Sequence, residues 1–217
     1  MVHRHRGESR LPAVLAVLAV LGLQVSLSAG VVPGPRYAVP ALEGLLALGL
    51  LAADPSRLTA ESRDLRWASI GLVAVVGLVN AVALGRLVDR LVNGRSTGRE
   101  LLAESAAVWL TNVVVFALTY WELDRGGPLA RAGARSGPTH PDLWFPQDGD
   151  AHDAAPPGWQ PVFVDYLFVA LTSATAFSPT DTMPLTGRAK LLMGSQSILS
   201  LLTVTLVTAR AVNILGS

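Results

Sequence analysis

Oxygen-bearing side chains crowd the stretch LTSATAFSPTDTMPLT (171–186), which lies between two apolar runs. If an ion passes this stretch, its ligands would be the hydroxyls of Thr175, Ser178 and Thr180, and the carboxylate of Asp181 would attract cations to them. The same residues also fit an element that conducts nothing and only packs inside a membrane protein. The stretch therefore predicts either a loose cation pathway or a packing element, and the choice depends on the elements around it.

The composition indicates that these elements lie in a lipid bilayer. The chain has 217 residues, of which 51% are hydrophobic and 15% are charged, whereas soluble domains carry about 25% charged residues. A bilayer core of about 30 Å takes about 20 apolar residues as a helix. Apolar runs near this length recur along the chain, and we expect four transmembrane segments at 11–32, 37–53, 67–87 and 101–121.

The remaining segments complete an all-α polytopic fold with about five transmembrane helices. A basic tail (1–10) precedes the first span, a solvated loop (122–160) follows the fourth, and 161–217 holds the last span. The apolar run that begins at 161 is too short to cross a bilayer, and the prolines and threonines after it cannot continue a lipid-facing helix. Non-helical backbone at membrane depth is tolerated only where protein buries it or it lines a water-filled cavity. We therefore expect a re-entrant hairpin before the last helix.

Polar side chains follow one stripe of the last span. Gln196, Ser200, Thr203 and Arg210 stand at i, i+4, i+7 and i+14, which places them on one helical face. An inner helix that lines a pore would use such a stripe. Alternatively, the hydroxyls bond carbonyls of the preceding turn, small residues let helices pack, and the arginine reaches the interface from the helix end. Both interpretations stay open at this point.

The segment 162–213 resembles the pore module of the potassium-channel superfamily. In that module a pore helix ends in threonines, a glycine-bearing filter follows, and an aspartate, a proline and a hydroxyl residue precede the inner helix. Thr172 and Thr175 match the threonines here. The residues that match the later pattern D-x-x-P-x-T are Asp181, Pro184 and Thr186. The resemblance implies a homo-oligomer, a tetramer if it is channel-like, because one chain supplies one hairpin and a central pathway needs several.

The filter itself departs from the family. This chain reads AFSPTD where the family has two glycines around an aromatic residue, and Phe177 and Pro179 stand near the glycine positions. Glycine accepts positive φ at little cost, whereas phenylalanine resists it and proline fixes φ at about −65°. We therefore expect no potassium-selective filter, and an ion pathway here would discriminate poorly between monovalent cations.

More loosely, the order of segments resembles that of bacterial polytopic membrane proteins of unknown function. The stretch VFALTYWELDRGGP before the long loop adds to that likeness. This resemblance implies the bacterial plasma membrane as the location and carries over no activity.

Composition and motifs argue against several other classes of function. The chain has no cysteine, which excludes disulfides and thiolate metal sites, and its net charge of +1 gives no case for a nucleic-acid partner. It has no Walker motif, serine elbow or zinc-protease helix. A flexible acidic loop is a better interpretation than a divalent cation site for Asp142, Asp148, Asp150, His152 and Asp153. We expect no enzymatic activity, no cofactor and no resident metal.

Three polar side chains well inside the expected spans are candidates for a function. Glu43 would be costly in lipid and could serve a function there, although a short segment at an interface would leave it wet. Asn80 and Asn112 are expected to hydrogen-bond neighbouring helices. Alternatively, the three side chains could form the solute site of a small-solute carrier.

The leading expectation is an integral membrane protein with potassium-channel-like pore-loop architecture that acts as a weakly selective cation channel. The alternatives are a non-conducting scaffold or accessory subunit and a small-solute carrier. Orientation stays open, because most Lys and Arg lie on the face of the N-terminus and favour N-inside, whereas pore loops of the channel family enter from outside. The first run, with its basic start, could also be a cleaved secretory signal.

Overall fold

The computed structural model describes residues 11–32, 37–52, 63–93, 98–131, 140–149, 155–175 and 181–215. Most of these residues are helical, which confirms the predicted all-α class. The helices are α1 (Leu11–Ser26), α2 (Ala38–Ala52), α3 (Arg63–Val92), α4 (Gly98–Leu123), α5 (Pro128–Arg131), α6 (Phe163–Thr175) and α7 (Gly187–Leu215). Two short strands, β1 (Leu143–Trp144) and β2 (Met183–Pro184), pair antiparallel.

Three helical stretches are long and apolar enough to cross a membrane. They are Arg66–Val92 in α3, Arg99–Gly126, which contains most of α4, and Gly187–Thr208 in α7. The helices α1 and α6 are apolar but shorter. These helices support the expected membrane protein, while the number of spans stays a prediction.

The helix α4 is the core of the packing. Its apolar stretch is 61% buried, against 33% for that of α3 and 22% for that of α7. The largest hydrophobic cluster joins α4 to α1, α6, α7 and the segment of β1, and a second cluster joins the ends of α1 and α3 to the first half of α4. The helices α3 and α7 therefore leave most of their surface to lipid or to another chain.

Local capping signals explain where α6 and α7 begin. The Asp165 carboxylate accepts a hydrogen bond from the Val162 backbone N–H at 2.7 Å, which satisfies a donor that the first turn of a helix leaves unpaired. At the start of α7 the Thr186 hydroxyl oxygen accepts from the Ala189 N–H at 3.2 Å, as an N-cap residue does. Each helix thus has a capping side chain just before it or in its first turn.

Hydrogen bonds between side chains show how α4, α6 and α7 run relative to one another. Tyr120 near the end of α4 contacts Gln196 in α7, and Asn112, two turns earlier in α4, contacts Ser200 further along α7. The helices α4 and α7 therefore run antiparallel. Gln196 also contacts Ala170 of α6, and these two residues lie at similar distances from the starts of their helices. The end of the bundle where α4 ends and α6 and α7 begin, together with β1 and β2, is called the rim below.

Candidate functional site

The structure describes only some of the predicted ion ligands. Phe177, Ser178 and Thr180 lie outside the described residues. Asp181 is described and exposed, two residues before β2. Its carboxylate therefore lies near the rim, where it can act on ions that approach from water.

The two predicted threonines lie in the last turns of α6. Thr172 donates to the Phe168 carbonyl at 2.9 Å, and Thr175 donates to the Leu171 carbonyl, also at 2.9 Å. Each hydroxyl oxygen keeps lone pairs that can still accept a hydrogen bond or ligate a cation. Thr175 is exposed and Thr172 is half-buried. The helix α6 therefore ends with a threonine oxygen on an uncovered face.

The uncovered face of α6 is apolar up to that threonine. Val164, Phe168 and Leu171 are 57%, 55% and 40% exposed, and their spacing places them on one side of the helix with Thr175. The opposite side is buried against the bundle by Phe163, Tyr166, Val169, Ala170, Ser173 and Ala174. This arrangement leaves an exposed hydrophobic strip on α6, which lipid or another protein surface can cover.

The three described members of the polar stripe of α7, Gln196, Ser200 and Thr203, face the interior of the chain. Gln196 accepts a hydrogen bond from the Tyr120 hydroxyl at 2.6 Å and donates to the Ala170 carbonyl at 2.7 Å. Ser200 accepts from the Asn112 carboxamide at 3.1 Å. Gln196 and Ser200 are both 0% exposed, so their polar atoms join α7 to α4 and α6.

Thr203 makes the local hydrogen bond that serine and threonine often make in helices. Thr203 is buried and donates to the Leu199 carbonyl at 2.8 Å. Arg210 lies in α7, and its side chain is outside what the structure describes. For the three described members these contacts favour the packing interpretation, and a part in an ion pathway stays a prediction.

Asp124 organises the rim, and sequence reasoning did not single it out. This carboxylate is 1% exposed and accepts hydrogen bonds from the Tyr166 hydroxyl at 2.7 Å, the Asp142 N–H at 2.7 Å and the Leu143 N–H at 3.2 Å. Burial raises the pKa of the Tyr166 phenol well above its ordinary value, so the phenol keeps its proton and donates. The available signal was an aspartate between an apolar helix and the paired glycines of WELDRGGP.

A second carboxylate ties the long loop to α7. Asp142 accepts from the Thr186 hydroxyl at 2.6 Å and forms an ion pair with Arg188, while its backbone carbonyl accepts from the Leu185 N–H at 2.8 Å. The Trp144–Met183 pairing of the two strands lies beside these contacts. Part of the loop that the sequence predicts as solvated is therefore attached to the start of α7.

The other acidic residues of that loop form no metal cluster in the described part of the chain. Asp148 is paired with Arg125 and accepts from the Phe145 N–H at 2.9 Å. Within the described ranges no group of three His, Asp or Glu side chains could hold a metal ion. Three residues of the sequence prediction, Asp150, His152 and Asp153, lie outside those ranges.

Polar groups also lie deep between other helices. Glu43 of α2 is 0% exposed and accepts a long hydrogen bond of 3.5 Å from Gln24 of α1. At the end of the bundle opposite the rim, Arg90 bonds both carboxylate oxygens of Glu104 at 2.9 and 3.0 Å and donates to Ser28 at 2.7 Å. The Gln24–Glu43 bond joins α1 to α2, and the Arg90 contacts join the segment after α1 to α3 and α4.

The arrangement as a whole combines a packed rim with oxygen atoms at the end of α6. The exposed Asp181 carboxylate can attract a cation and the Thr175 oxygen can ligate one, whereas the buried hydrogen bonds of α7 hold helices together. Comparisons with protein-family models, curated proteins and solved structures found no match to this chain.

Proposed function

We propose that 161–186 forms a re-entrant hairpin, which enters the bilayer as α6 and returns without crossing it. The 13 residues of α6 span only about 20 Å at 1.5 Å per residue, against about 30 Å of bilayer core. Met183 pairs with Trp144 at the rim, where α6 begins. The six residue steps from Thr175 to Asp181 reach at most about 20 Å, which is enough to return along the length of α6.

The proposed function is passive permeation of monovalent cations with little selectivity, through a homo-oligomer assembled around this hairpin. The observation that carries it is the exposed Thr175 at the deep end of α6, beside the apolar strip of Phe168 and Leu171. Backbone that turns at membrane depth must be buried in protein or line a watery cavity. Further copies of the chain, four if the assembly is channel-like, would cover the strip and surround such a cavity.

A second candidate is a non-conducting scaffold or accessory subunit. Burial of the α7 stripe favours it, because Gln196, Ser200 and Thr203 spend their polar atoms within one chain. The hairpin would then be a packing element, and its apolar strip would bind lipid or a different membrane protein.

Single cysteines test the hairpin, since the chain has none of its own. We expect Gln160→Cys and Asp181→Cys, both exposed at the rim, to react with a membrane-impermeant maleimide from the same side of sealed vesicles. Asn93→Cys, exposed at the opposite end, should react from the other side. Reaction of positions 160 and 181 from opposite sides would show that α6 crosses the bilayer.

Bilayer recordings separate the two functions. For the purified protein we expect cation currents that Asp181→Asn reduces at low salt and leaves nearly unchanged at high salt, because screening removes the attraction of an exposed carboxylate. Asp89→Asn, an exposed carboxylate near the opposite end, is the matched control. Flat traces for several cations from a protein that passes the cysteine test would exclude the channel and leave the scaffold.

A further inference from the structure

A cavity between α3, α4 and α7 has no part in the hairpin. Its volume is about 350 Å³, within the range of about 300–1,000 Å³ typical of small-molecule sites. Its walls are mostly apolar, and the residues that line it from α3 include Ile70, Ala74 and Gly77. A Cβ on Gly77 would lie 3.3 Å from the Val115 side chain, so the glycine keeps α3 close to α4 at the cavity wall.

The cavity extends from the rim towards the middle of the bundle. Ile70 and Asn80 both line it, and ten residue steps along α3 correspond to about 15 Å. From α4 it is lined by Leu123 near the rim and by Asn112 at the deep end. These helices include long apolar stretches that can cross a membrane, and where they cross, a cavity between them would lie at bilayer depth and open to lipid.

One side chain of the deep end is buried and has no hydrogen-bond partner among the described residues. Asn80 is 7% exposed and lines the cavity, and among the described residues its carboxamide has no hydrogen-bond partner. Asn112 lines the same end but donates to Ser200 at 3.1 Å. A buried carboxamide without a partner is unfavourable in an apolar environment, and a ligand that offers a hydrogen bond would satisfy it.

We propose that this cavity binds a small membrane-soluble molecule with an alkyl body and one hydroxyl or carbonyl group, which Asn80 hydrogen-bonds. The apolar walls fit the alkyl body, and a carboxamide can donate to a carbonyl and accept from a hydroxyl. An acyl tail alone would leave Asn80 unsatisfied. A carboxylate, Glu122, also lines the cavity and disfavours an anionic ligand.

Photolabelling with a diazirine-bearing octanol tests this inference on the full chain in lipid nanodiscs. We expect saturable adducts on the cavity wall, which mass spectrometry would locate near Gly77 and Phe116. At equal membrane mole fraction, octanol should compete about fivefold better than octane, because one hydrogen bond contributes about 1 kcal/mol. Asn80→Leu, which keeps the approximate size of the side chain, should reduce labelling by a similar factor.

A second pair of variants separates loss of the site from loss of the fold. Ala74 and Ala81 are both exposed residues of α3, and Ala74 is part of the cavity wall whereas Ala81 is not. We expect Ala74→Phe to abolish the adducts and Ala81→Phe to leave them unchanged. Non-saturable labelling spread along the lipid-facing surface of α7, or equal labelling of Asn80→Leu and the parent protein, would overturn the proposal.

Discussion

Tyr166 donates its phenolic hydrogen to Asp124 over 2.7 Å, although 42 residues separate the two in the chain. Asp124 follows the end of α4, and Tyr166 lies in the first turn of α6. The Arg131 guanidinium lies 5.0 Å from the centre of the Tyr166 ring, a separation at which a cation is attracted to an aromatic face. These contacts fix where α6 begins relative to α4.

The first prediction concerns this bond. Tyr166→Phe removes the hydroxyl and leaves one oxygen of the buried Asp124 carboxylate without that donor, so we expect the free energy of unfolding to fall by about 1–3 kcal/mol. Denaturant titration in detergent micelles, followed by tryptophan fluorescence, measures it. The control is Asp181→Asn, an exposed carboxylate near the same rim, which should change stability by less than about 0.5 kcal/mol. A Tyr166→Phe protein as stable as the parent would contradict the prediction.

The second prediction concerns the stripe of α7. Tyr120 and Gln196 share a hydrogen bond of 2.6 Å between buried side chains, and hydrogen bonds between membrane helices contribute about 0.6 kcal/mol and at most about 1.7 kcal/mol. A double-mutant cycle with Tyr120→Phe and Gln196→Leu should give a coupling energy in this range. Ser195 is exposed and donates to a carbonyl of its own helix, so Ser195→Ala should combine additively with Tyr120→Phe. Additivity in both cycles would show that the Tyr120–Gln196 bond does not stabilise the fold.

The sequence predicts helices well wherever apolar runs are long, but it places their ends less well. The apolar run covers 11–32, but α1 ends at Ser26. The run stays apolar after that point because Val31 and Val32 are buried in a turn. Apolar character cannot distinguish a buried turn from another helical turn. In α3 the helix continues past 87 to Val92, and its last turn carries Arg90, which pairs with Glu104 of the next helix.

For the candidate site as well, the sequence predicts which residues share a face of one helix, but it does not predict which distant segments contact that face. Spacing placed Gln196 and Ser200 on one face of a helix, but spacing does not tell which neighbour covers that face. The contacts of Asp124 and Asp142 join segments 18 to 46 residues apart, and strands of two residues give no periodic signal. The rim could therefore not be derived from the sequence pattern, although its aspartates stand out by residue type.

The third prediction tests how the long loop attaches to the return segment. Trp144 and Met183 are partners in the antiparallel pair, and Cα atoms of such partners lie about 4.5–5.5 Å apart, which suits a disulfide. We expect Trp144→Cys with Met183→Cys to cross-link under mild oxidation, seen as a mobility shift that reductant reverses. The control pair is Trp144→Cys with Leu191→Cys, since Leu191 is 75% exposed on α7 beyond the strand pairing. Failure of the first pair to cross-link would contradict the register of the strands.

The fourth prediction concerns pH and Asp165. Burial raises the pKa of this carboxyl above its ordinary value of 3.8, although the hydrogen bond from the Val162 N–H opposes the shift. A raised pKa in the folded state means that folding favours the protonated form, so this stability is fully present below pH 3.8 and is lost as the pH rises through the folded pKa.

Asp165→Asn keeps an oxygen for the Val162 N–H and cannot titrate. We therefore expect its unfolding free energy to exceed that of the parent at neutral pH and the difference to shrink in acid, as measured by denaturant titration at several pH values. A variant that is less stable than the parent at neutral pH, with a gap that closes in acid, would show that the hydrogen bond outweighs burial and that the pKa is lowered instead.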